Sequence, residues 1–224
     1  AFTAKGEPVW HSPLAKGLRT FTDRLMGMFY VINSLTVWHR DETGRGWLVA
    51  GGYGLMLFLD GDGRILGHSW ADGAWVCSLL TLPPGHPAAG DLYLRSGWNH
   101  GVGHYAAHAG PGPSGVVQSW GGFRQPMFRE LKQVIPFVNG PSLAFEYVPR
   151  LGSPAGAIFA AAELGFGLLS LATHEWVWQH EVANRLQAVA VGQIDGEPAV
   201  MVGGADGFLN AFALIDGRLL LTHL

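Results

Sequence analysis

His100, His104 and His108 recur at intervals of four residues. On a helix that spacing would line three imidazoles along one stripe and offer them to a metal ion such as zinc. The surrounding sequence is rich in glycine, however, and reads as strand, turn and strand. His100 then falls on the turn and His108 beyond the second strand, too far apart for a four-coordinate site. Solvated or hydrogen-bonded histidines are expected instead. Asp60, Asp62, Asp195 and Glu197 sit on glycine-rich turns in the manner of calcium loops. Neither segment supplies the roughly 6 to 8 oxygen ligands calcium takes, so these residues are expected to serve turn geometry. A third cluster offers binding chemistry. Arg95, Trp98, Asn99 and His100 crowd one turn, and Trp120 is a further candidate for stacking. These five residues are the candidate ligand-binding set, since charge, amide and indole converge there. For nucleophilic catalysis the sequence holds no Gly-x-Ser-x-Gly elbow, and Cys77 lies in an apolar strand where a thiol is inert. No phosphate-binding loop or dinucleotide fingerprint occurs. No catalytic residue and no metal site is assigned.

The elements that position these residues follow from composition and repetition. The chain has 224 residues, 48% hydrophobic and 14% charged, with 33 glycines and 9 tryptophans. That excludes disorder, which needs high charge and few aromatics. A net charge of −3 gives no basic footprint for nucleic acid. One cysteine excludes an internal disulfide framework and a cysteine-based zinc cluster. No charged segment leads into an apolar stretch at the start, so no signal peptide is visible. Residues 155–172 are nearly apolar, but Glu163 and three glycines make a buried strand pair a better reading than a membrane span.

The chain repeats itself. Residues 47–66 and 199–220 both read as an apolar strand, Gly-Gly, a glycine turn, a second apolar strand, then Asp-Gly-Arg and a third strand. Gly54 and Gly207 mark the first turn, Asp62-Gly63 and Asp216-Gly217 the second, because tight hairpin turns need positive φ. A third copy, residues 157–178, aligns with 199–220 at an offset of 42 without a gap, and a worn fourth spans 92–106. Each is preceded by another apolar stretch, at 35–38, 76–82, 143–148 and 186–191. Four short strands joined by tight turns make an antiparallel meander of roughly 40 residues. Apolar on both faces, such a sheet must stack on copies of itself, which predicts an all-β fold: a β-propeller of four-stranded antiparallel blades.

The spacing of Ala1, Gly6 and Trp10 resembles a shortened tryptophan-docking repeat of quinoprotein-type (PQQ-like) propellers, and Trp178 stands near the equivalent position. Residues 191–207 resemble the FG-GAP/VCBS style of propeller repeat, with an Asp-rich loop before an apolar strand ending in glycine. The resemblance implies that Trp10, Trp70 and Trp178 pack between adjacent blades, and it pulls towards an extracellular or periplasmic location.

The organisation expected is a single domain or propeller portion over 1–224. It comprises a leading half-unit at 1–12, units at about 35–70, 76–109, 143–180 and 186–224, and insertions at 11–34 and 110–142. That is about four blades plus a half, as in the C-terminal part of a larger propeller or a small closed one. Within the insertions, 18–33 reads as a strand pair or short amphipathic helix, and 127–135 as a one- or two-turn helix. Both insertions are expected to meet a protein partner or the rest of the propeller. The function expected is non-catalytic binding or scaffolding with no cofactor. The alternative is part of a PQQ- and calcium-dependent dehydrogenase oxidising an alcohol or sugar, although the adjacent cysteine pair of many such enzymes is missing. A polysaccharide-active enzyme ranks below both.

Overall fold

The computed structural model describes residues 4–8, 32–39, 46–96, 101–107, 117–120, 123–126, 129–138, 140–151 and 153–223. The elements among them are all strands. They are β1 (Ile32–His39), β2 (Gly46–Leu59), β3 (Ile65–Thr81), β4 (Leu92–Ser96), β5 (Gly101–Ala107), β6 (Val117–Trp120), β7 (Phe123–Pro126) and β8 (Arg129–Pro136). There follow β9 (Ser142–Val148), β10 (Ala157–Ala162), β11 (Gly165–Ser170), β12 (Trp176–Glu181), β13 (Leu186–Ile194), β14 (Glu197–Gly204), β15 (Leu209–Ala213) and β16 (Leu219–His223). Hydrogen bonding orders them as β1-β2-β3-β4-β5-β8, β6-β7, β12-β11-β10-β9 and β13-β14-β15-β16. The chain divides into two compact units, one of Ala1–Leu94 with His104–Lys132 and one of Arg95–Gly103 with Gln133–Leu224.

The second unit carries two four-stranded antiparallel meanders. The apolar run at 155–172 becomes β10 and β11, whose side chains are buried on both faces apart from Ser170. Their turn is Glu163-Leu164, between the paired Ala162 and Gly165. In the following sheet the matching turn is longer: Gly203 pairs with Leu209, and Gly207 takes φ +85° between them. The two copies therefore do not align without a gap. Ala157 corresponds to Ala199, but Ser170, its partner, corresponds to Ala213, one residue further on. The extra turn residue is the physical reason. Between β13 and β14 the turn Asp195-Gly196 has φ of +50° and +84°, both positive, as a two-residue hairpin turn of the right twist requires. Asp195 thus serves backbone geometry, as expected.

A common core binds these two sheets. Phe159, Phe166 and Leu168 of one pack with Val200, Val202 and Leu214 of the other.

In the first unit, Trp38, Met56, Phe58, Leu92 and Leu94 form the core, with Trp47 edge-on to Trp38 at 5.9 Å. The β2–β3 turn follows the sequence: Gly63 has φ +79°, and Asp60 Oδ1 accepts from the amides of Asp62 and Arg64. Gly54, by contrast, is no turn. β2 runs unbroken from Gly46 to Leu59, pairing with β1 in its first half and with β3 in its second. A single strand that serves two neighbours in succession reads locally like two strands and a turn. Ser34 and Thr81 hydroxyls tie β1 to the end of β3: Leu79 N donates to Ser34 Oγ at 2.9 Å and Thr81 Oγ1 to Val37 O at 2.8 Å.

The insertion at 110–142 also departs from expectation. Residues 129–136 form β8, not a helix. Its described end alternates, with Ile135 and Phe137 buried and Val134 and Pro136 exposed, a period of two that suits a strand with one covered face. Residues 18–31 lie outside the described residues.

Candidate functional site

Among the described residues, Trp38, Trp176 and Trp178 each donate the indole N–H to a main-chain carbonyl of a separate segment. Trp38 Nε1 reaches Gly90 O at 2.9 Å, Trp176 Nε1 reaches Pro136 O at 2.7 Å and Trp178 Nε1 reaches Leu214 O at 3.0 Å. A buried indole needs such an acceptor, and meeting it fixes the ring. Trp176 also stacks on Phe137, centroids 4.5 Å apart.

Trp178 makes the most specific contact. Its ring lies over Gly217, where an added Cβ would sit 2.7 Å from Cδ2. Gly217 also has φ +72°, so both space and backbone demand glycine. His180 Nε2 donates to Gly217 O at 2.7 Å, and its ring leans on Phe166 and Phe212 at 5.2 and 5.0 Å. Trp178 therefore packs between adjacent sheets, as the resemblance implied. Trp10 lies outside the described residues, and Trp70 falls in β3.

Of the candidate ligand-binding set, Arg95 is fully buried. Its Nη2 donates to Val138 O at 2.8 Å and Gly140 O at 3.0 Å, and its guanidinium lies 4.6 Å from the Phe137 ring centroid. It thereby holds the connection from β8 to β9. Trp98, Asn99 and His100 lie outside the described residues, and Trp120 falls in β6. Of the five, Arg95 alone has a described side chain.

His104, one of the three histidines spaced by four, lies buried in the first unit. His104 Nε2 and Asp91 Oδ2 are 2.7 Å apart, and the Tyr93 ring stacks on the imidazole at 4.6 Å, only 3° from parallel. Burial first, and the Asp91 charge second, hold the Tyr93 phenol well above its ordinary pKa. His104 is thus a hydrogen-bonded histidine; His108 lies outside the described residues. Asp91 directly precedes β4 and His104 lies on β5, its neighbour in the sheet.

Among the described residues no three His, Cys, Asp or Glu side chains converge to hold a metal ion. No described helix is long and apolar enough to cross a membrane.

What stands open is apolar. Leu209, Ile215, Leu219 and Leu221, on β15, β16 and their hairpin, are 43%, 52%, 55% and 51% exposed. Isolated exposed leucines are ordinary, whereas these four belong to one sheet.

No family model matches the sequence, and no curated protein is significantly similar to it. Solved structures are. Dihydro-heme d1 dehydrogenase NirN in complex with DHE matches with TM-score 0.51 and 14% identity over 80% of this chain and 35% of its own. BBS1N in complex with ARL6DN gives 0.51 and 13% over 87% and 54%. The Cps50 (Swd1) β-propeller domain of Myceliophteria thermophila gives 0.51 and 14% over 86% and 57%. The fold is a β-propeller. At such low identity the likeness carries the fold alone. The chain spans about a third to just over half the length of these structures. β9–β12 and β13–β16 are then blades, and the Trp178–Gly217 contact docks one blade on the next.

Proposed function

We propose that this chain is a non-catalytic binding propeller that holds a protein partner on the exposed apolar strands of its last blade. The observation that carries the reading is the half-exposed set Leu209, Ile215, Leu219 and Leu221. The buried polar side chains of the described residues are engaged within the scaffold: Arg95 bonds main-chain carbonyls and His104 an aspartate. Such groups brace a frame. Among the structures that share the fold, BBS1N is solved with ARL6DN bound, an instance of a propeller engaging a protein. The partner expected here is one that presents an apolar surface, since the open side chains are leucine and isoleucine.

The test is isolation of the tagged protein from its source under mild conditions. It should migrate in an assembly heavier than its own 24.1 kDa. The double variant Leu219→Asp with Leu221→Asp should release it to that mass while keeping its circular dichroism. An assembly unchanged by the variant, or an alcohol- or sugar-oxidising activity carried by the chain, contradicts the reading.

A further inference from the structure

We draw no further inference here: the strongest candidate, the open apolar surface of the last blade around Leu209 on β15 and Leu221 on β16, belongs to the binding surface already proposed, and nothing in the structure shows what covers it.

Discussion

Gly217 offers the sharpest perturbation of the contact between blades. Replacing it with alanine acts twice. The backbone, held at φ +72°, disfavours any Cβ by about 1 kcal/mol. The new methyl also lies 2.7 Å from Cδ2 and 2.9 Å from Cγ of Trp178, inside contact distance, so the indole must move. Moving it stretches the bond to Leu214 O, which contributes about 1 kcal/mol, and loosens the edge contact with Phe166 at 5.9 Å, a further 0.5–1.5 kcal/mol or about that. The expected loss is therefore about 2–4 kcal/mol. Gly196→Ala supplies the control: its φ is +84°, but a Cβ there meets nothing within 4 Å, so only the backbone cost of about 1 kcal/mol applies. Urea titration followed by circular dichroism gives both values. The excess for Gly217→Ala should vanish in a Trp178→Leu background, since the clash partner is gone. Equal losses for the two glycines, or an excess that survives without the indole, would refute the docking argument.

Two further outcomes follow from the buried polar groups. Arg95→Met should destabilise the fold by about 2–4 kcal/mol, because the carbonyls of Val138 and Gly140 lose a charged donor inside the protein. Arg95→Lys should recover little, as an ammonium lacks the planar fork; a silent Arg95→Met in thermal unfolding would dismiss the bracing role. Tyr93 governs behaviour in alkali. Its phenol is held protonated in the fold, so above pH of about 10 the unfolded chain releases that proton first and stability falls as pH rises. Urea midpoints between pH 8 and 11 should decline more steeply for the native sequence than for Tyr93→Phe; parallel curves would show that Tyr93 ionises freely.

Much of this architecture was legible in residue order. Asp195-Gly196, Gly207 and Gly217 adopt the positive φ that their turns demand, and the apolar run at 155–172 divides into two buried strands. Trp178 takes the place between blades that the resemblance implied, with its ring over Gly217. Gly54 misled because a glycine at positive φ and a glycine inside a strand look alike in sequence, and only pairing separates them. Residues 129–136 misled because charged and amide residues mask the alternation that ends in Ile135 and Phe137. The destination of Arg95 was not legible at all. Its acceptors, Val138 and Gly140, lie more than forty residues away, and no local pattern announces a long-range bond to a main chain. The apolar surface was missed for a related reason: Leu209 and Leu221 have the same identity in a covered or an open blade, and exposure alone distinguishes them.

The account stands or falls on whether the open strands of the last blade meet a protein. A photoreactive amino acid placed at Leu221 in the source cell, with Glu181 on the preceding blade as the comparison site, reads this directly. Cross-linked protein at position 221 and little at position 181 is the result the account predicts. A chain that labels only water at 221, or equally at both positions, would contradict it.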